Sequence, residues 1–163
     1  GFPFPGEVRI DARELERARE KPARPSYSFD TLTELGRERG RERLAFVLGI
    51  DQLAALPTWH RFPEVLTLSH WIVLRRRGSG PAGEALSPLL ASNLLKPAGP
   101  ETWSVSSGTT LLKLVDTDAP ELSSTSIRQA IGRGGRVPKS SMIPAASAYL
   151  KAHRIYGTEG EET

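Results

Sequence analysis

The chain holds 163 residues, 38% of them hydrophobic, enough for one domain around a single ordinary core. Its 22 basic and 19 acidic residues leave a net charge of +3, too mild for a nucleic-acid surface and better suited to a small anionic ligand. The absence of cysteine excludes disulfides, thiolate catalysis and cysteine zinc sites, and the lack of a signal-peptide pattern or a membrane-length apolar run leads us to expect a soluble, cytoplasmic protein.

In chain order, residues 1–10 read as an irregular start without an initiating methionine. Residues 11–20 predict a short charged helix with Leu15 and Ala18 turned inward, followed by a stiff linker through Pro22 and Pro25. Phe29, Leu32 and Leu35 make a helical stripe over 28–39, weakened by Gly36 and ended by Gly40. The continuous apolar run 44–50 predicts a strand buried on both faces of a parallel sheet. Asp51 is placed to cap a short helix that Pro57 stops, and 62–69 predicts another with Pro63 near its start. A second buried strand is expected over 70–75. Between Gly78 and Gly108, glycine, proline and serine leave little pattern beyond one helix over 86–95. A third strand follows over 110–116, then a hydroxyl-rich helix start, a helix end in the glycine-rich stretch 132–136, and a last helix over 144–153 with Ala145, Ala148, Tyr149 and Ala152 as its apolar face. Residues 158–163 read as a flexible tail. Strands alternating with helices imply an α/β fold, a Rossmann-like doubly wound parallel sheet forming one domain.

The run 122–128 carries the sharpest chemical signal. Ser123, Ser124 and Thr125 suit the N-cap and first turn of a helix, where free N–H groups and the helix dipole attract an anion. Arg128, about one turn on, can fold back and bind phosphate oxygens through two parallel hydrogen bonds. By themselves such hydroxyls more often simply cap a helix. In doubly wound sheets, however, ligands sit beyond the carboxyl ends of the strands. Gly49 and Asp51, the arginines 75–77, and the 123–128 corner all fall shortly after a predicted strand.

Five segments together resemble the bacterial nicotinate-nucleotide adenylyltransferases of the nucleotidyltransferase α/β superfamily: 26–32, 46–53, 56–60, the 122–128 corner, and 143–156. The resemblance runs from about Ile10 to the C-terminus, and the segment around Trp59 is the most diagnostic of this substrate branch. It implies joining of nicotinate mononucleotide to the adenylyl group of ATP, with Mg2+ and release of pyrophosphate, in NAD biosynthesis. It further implies that Ser123, Ser124, Thr125 and Arg128 hold ATP phosphates, Arg128 being the catalytic candidate, and that Gly49 and Asp51 contact the adenosine part. Trp59 would stack on the pyridine ring, and backbone N–H groups near Ser28 and His60, beside Tyr27 and Thr31, would receive the nicotinate carboxylate. Asp51 would accept from ribose hydroxyls or lie near the metal; no dedicated metal ligand, nucleic acid or membrane partner is assigned, and a homo-oligomer is left open.

The family opens with a strand and a glycine-rich turn into a His-x-Gly-His motif that this chain does not contain, its three histidines being His60, His70 and His153. The first strand-helix unit is therefore expected to be missing, and the start without methionine favours a piece of a longer protein. Ser28 stands where threonine is commoner in the family and Ile50 where alanine is commoner. Two alternatives stand beside the main reading: a noncatalytic nucleotide-binding module without the reacting histidines, and a sister adenylyltransferase acting on another phosphate such as phosphopantetheine. Residue by residue, plainer roles also exist. Trp59 can cover a core edge, His60 can pack, Asp51 can cap, and Tyr27 and Thr31 can do no more than begin a helix.

Overall fold

Apolar side chains at Leu48, at Trp71 and Val73, and at Leu112 and Leu114 are all buried and alternate along three strands, so they mark one face of a sheet as the core face. The computed structural model describes residues 7, 9–41, 44–76, 82–118, 124–133, 144–153 and 155. The chain divides into two compact units, the first comprising Gly1–Arg75 and Ser79–Asp116, the second Arg76–Gly78 and Thr117–Thr163.

In the first unit, helices α1 (Arg13–Glu20) and α2 (Ser28–Arg39) precede strand β1 (Ala45–Gly49) and helix α3 (Ile50–Ala55). Two 3-10 turns, Leu56–Thr58 and Glu64–Thr67, lead into β2 (His70–Arg76), and α4 (Ala82–Ala91), β3 (Leu95–Gly99), β4 (Thr102–Val105) and β5 (Leu111–Thr117) complete the sheet. Its strand order is β1-β2-β5-β4-β3. β1 and β2 run parallel, with Ala45 opposite His70 and Gly49 opposite Leu74. β2 and β5 run parallel as well: His70 meets Leu111 at one end and Arg75 meets Asp116 at the other, the same offset of 41 residues in both cases. β3, β4 and β5 pair antiparallel.

Leu32 of α2, Leu53 of α3, Leu86 and Leu89 of α4, and Val65 and Leu66 of the second 3-10 turn all join the cluster built on the core face. At its centre the fully buried Trp71 donates its indole N–H to Leu66 O at 3.0 Å, and Thr110 Oγ1 donates to the same carbonyl at 2.9 Å. Both lone pairs of that buried oxygen are thereby used.

Several elements differ from the sequence reading. The strand expected to be buried on both faces is buried on one, because Val47 on the opposite face is 55% exposed. No residue of α1 is buried, and Leu15 is 62% exposed, so the inward Leu15–Ala18 face does not form. Ion pairs hold α1 instead: Arg13 to Asp11, Glu34 and Glu38, and Arg17 to Glu34. The helix expected over 86–95 lies at Ala82–Ala91 and carries Pro88 inside, while Leu95 begins an edge strand, where Pro97, opposite Trp103, is tolerated without an N–H to donate. Asp51 does not cap α3; Gly49 is the cap residue and Asp51 sits exposed in the first turn. The 28–39 helix ends as expected at Gly40, whose φ of 84° suits glycine.

The second unit contains α5 (Ser124–Gly132) and α6 (Pro144–Ala152). Ile131 of α5 is buried, whereas the expected apolar face of α6 is exposed at Ala145, Ala148, Tyr149 and Ala152. The 1–6 and 158–163 ends and the glycine-rich stretch 134–139 lie outside the described residues.

Candidate functional site

The turn that follows the Leu56–Thr58 3-10 segment carries the aromatic chemistry. Trp59 N–H donates back to Leu56 O at 2.9 Å and Phe62 N–H to Trp59 O at 3.1 Å, closing a four-residue turn in which Arg61 takes a φ of 57°. Positive φ is uncommon for a side chain other than glycine. Two ring contacts hold the turn in place. His60 stacks on Tyr27 at 4.1 Å between centroids with 20° between planes, and the Arg61 guanidinium lies 4.3 Å over the Phe29 ring. His60 also meets Phe29 edge-on at 6.3 Å.

Tyr27 is the extended residue that caps α2, and Ser28 begins the helix, so the start of α2 and the 59–62 turn form one assembly. Trp59, half-buried, is on the core side of the turn, edge-on to Phe46 at 5.8 Å and to Trp71 at 6.2 Å. It thus covers a core edge while part of its ring stays in water. Thr31 looks elsewhere. Its hydroxyl donates to Glu14 at 2.7 Å and accepts a close hydrogen bond from Arg17, which ties it to α1.

Gly49 ends β1, and Asp51 lies two residues on in the first turn of α3, both at the carboxyl end of the strand. Gly49 has an ordinary extended backbone, φ −79° and ψ 160°. Asp51 is exposed, and Gln52 reaches its carboxylate at 3.5 Å. Of the arginines 75–77, Arg75 is bound through two hydrogen bonds to Asp116, at 2.5 Å and 2.9 Å. That contact holds the Asp116 carboxyl below the usual carboxylate range and raises the Arg75 guanidinium. Arg77 lies outside the described residues.

In the second unit, Ser124 starts α5, Thr125 is exposed in its first turn, and Arg128 lies back along the helix so that one guanidinium nitrogen reaches Thr125 Oγ1 at 3.3 Å. Ser123 lies outside the described residues. The backward fold of Arg128 is the one its spacing from the hydroxyls predicts.

The sequence reading missed the pairing of Tyr27 with His60, the placement of Arg61 on Phe29, and the partners of Trp59. Tyr27 and His60 sit in different elements, and nothing local links them. The only available signal was the concentration of aromatic residues in the two short segments 27–29 and 59–62.

A sheet whose parallel strands β1, β2 and β5 release Gly49, Asp51 and the Arg75–Asp116 pair at their carboxyl ends defines an α/β protein of the nucleotidyltransferase type. Two solved structures of Plasmodium falciparum nicotinic acid mononucleotide adenylyltransferase share this fold, one complexed with APC (TM-score 0.59) and one with NaAD (TM-score 0.60). Each is 12% identical and covers 84% of this chain, which spans 61% and 60% of theirs. No protein-family profile matches the chain. A probable nicotinate-nucleotide adenylyltransferase of Stenotrophomonas maltophilia is 36% identical over 90% of this chain and 66% of its own length. One from Cellvibrio japonicus is 35% identical over 92% of this chain and 67% of its own length. The chain belongs to the nicotinate-nucleotide adenylyltransferase family, and spans about two thirds of the length of these relatives.

Proposed function

We propose that the complete protein transfers the adenylyl group of ATP to nicotinate mononucleotide, giving nicotinate adenine dinucleotide and pyrophosphate, in the cytoplasm. The observation that supports this most strongly is the 35% identity over 92% of the chain, a span too long to leave out the stretch from Tyr27 to Arg128.

A phosphate oxygen of the mononucleotide attacks the α-phosphorus of ATP, and the bond from that phosphorus to the pyrophosphate oxygen breaks. Such a reaction asks the protein chiefly to align two polyanions and to offset charge on the transferring group. Ser123, Ser124 and Thr125 supply hydroxyls and first-turn N–H groups to the ATP phosphates. Arg128, already lying over Thr125, adds a planar cation. Gly49 and Asp51 face the adenosine part at the end of β1. The exposed part of Trp59 stacks on the pyridine ring, and the backbone around His60 and Ser28 receives the carboxylate, with the Tyr27–His60 stack fixing the distance between them.

Thr31 acts one step away. Its hydroxyl is engaged by Glu14 and Arg17, so it braces the start of α2 and does not touch the substrate itself. Mg2+ would come with ATP and would offset the charge of its phosphates. Among the described residues no helix is long and apolar enough to cross a membrane.

Isothermal titration of the complete protein tests the assignment of the two ligands. Arg128→Ala is expected to weaken ATP at least tenfold while changing nicotinate mononucleotide by less than threefold. Equal weakening of both ligands contradicts the role given to Arg128.

A further inference from the structure

Helix α1 buries no residue, yet its Arg17 keeps only 27% of its side chain exposed. The guanidinium reaches across the linker 21–25 to three points on the stretch that leads into and begins α2. One terminal nitrogen donates to Glu34 Oε1 at 2.7 Å. The other donates to Ser26 Oγ at 3.2 Å and, through a close hydrogen bond, to Thr31 Oγ1. Thr31 in turn donates to Glu14 Oε1 at 2.7 Å. The Arg17 Nε is buried without a partner among the described residues. A buried donor left unpaired costs free energy, and an arginine that served only the Glu34 ion pair would leave Nε in water. The side chain is set so as to place one nitrogen between two hydroxyls.

Those hydroxyls bracket the start of α2. Ser26 precedes it and Thr31 lies in its first turns, with Tyr27 and Ser28 between them. Tyr27, the extended N-cap, makes no side-chain capping bond, so no side chain of its own pins the entry of this helix. A second pair, Arg24 with Asp30 at 3.6 Å, spans the same stretch, but its arginine is 63% exposed and such pairs contribute little in water. From Tyr27 the constraint passes on through the ring stack to His60 at 4.1 Å.

We infer that Arg17 is a positioning residue for the nicotinate end of the mononucleotide: without touching substrate, it holds Ser26 and Thr31 together and so fixes the backbone of Tyr27 and Ser28 against the His60 turn. The inference rests on the proposed reaction, in which that backbone receives the carboxylate. Lysine is not equivalent to arginine at this place. Its ammonium is a point charge that can keep the Glu34 pair, but it has no planar fork to set the carboxylate on one nitrogen and the hydroxyls on another.

The test compares Arg17→Lys with Arg13→Ala in the complete protein, by steady-state kinetics at varied mononucleotide and varied ATP. Arg13 attaches the same helix through Glu34 and Glu38 and serves as the control for attachment. Arg17→Lys should raise KM for nicotinate mononucleotide about fivefold or more, with kcat and KM for ATP within about twofold of wild type. Proteolysis of the 21–26 linker should stay at the wild-type rate in this variant. Arg13→Ala should speed that proteolysis and leave KM for the mononucleotide within about twofold. An unchanged mononucleotide KM in Arg17→Lys would overturn the role of Arg17, as would an equal rise in Arg13→Ala, which would make helix attachment the cause. Wild-type protein that forms no dinucleotide would overturn the proposed reaction and this role with it, so the wild-type assay tells the two failures apart.

Discussion

Replacing Trp59 with alanine removes a ring wedged edge-on against Phe46 at 5.8 Å and Trp71 at 6.2 Å. Aromatic pairs of this geometry contribute ~0.5–1.5 kcal/mol beyond the area they bury, and a fully buried tryptophan truncated to alanine costs about 3–5 kcal/mol. Trp59 is half-buried, so the truncation leaves a notch that water can enter instead of a sealed cavity. The expected cost is about 2 kcal/mol, well below the full-core figure. For a protein of this size that is a fall in Tm of roughly 4–8 °C. Urea unfolding of the complete protein, read as a shift in midpoint at constant slope, gives the free energy. Trp59→Phe keeps a ring edge within reach of both neighbours and should cost less than about 1 kcal/mol. A cost below ~0.5 kcal/mol for Trp59→Ala is what an unattached surface residue shows, and would refute the claim that Phe46 and Trp71 hold this ring.

The Arg75–Asp116 pair has a pH signature. Its folded-state Asp116 carboxyl lies below the ordinary 3.8, so its stabilisation is fully present above that pH and is lost as the pH falls through the lower folded value. The Tm difference between wild type and Asp116→Asn should therefore shrink below about pH 3.8, and a difference that grows on acidification would contradict the pairing. Because α1 buries nothing and depends on Arg13 and Arg17 for attachment, Arg17→Ala should speed proteolysis in the 21–26 linker, as should about 0.5 M salt. Unchanged cleavage in both cases would count against an ionic attachment. His60→Ala, which removes the stack on Tyr27, should raise KM for the mononucleotide several-fold and leave KM for ATP within twofold. An equal rise in both would point to general loosening of the fold.

Much of the frame was legible in the sequence because its signals are local. The strands at 45–49, 70–76 and 111–117 were marked by short apolar runs, and the 28–39 helix by its stripe and its terminal Gly40. The exposure of Val47 was not legible, since an apolar run reads the same whether its second face is covered or bare. Nor was the β3–β4 hairpin, where only Leu95 of β3 and Val105 of β4 are buried and the edge position removes the usual alternation. In the candidate site, the helix-start hydroxyls and the backward reach of Arg128 follow from spacing within one helix. The Tyr27–His60 stack and the capture of Thr31 by Glu14 and Arg17 depend on how separate elements pack. Local pattern carries no information about that packing.

Turnover is the most direct readout of the proposed reaction. Supplied with ATP, Mg2+ and nicotinate mononucleotide, the complete protein should release one pyrophosphate for each nicotinate adenine dinucleotide formed, and should do so faster than with phosphopantetheine in place of the mononucleotide. Pyrophosphate release with phosphopantetheine alone, or no dinucleotide from a folded protein that binds ATP, would contradict it.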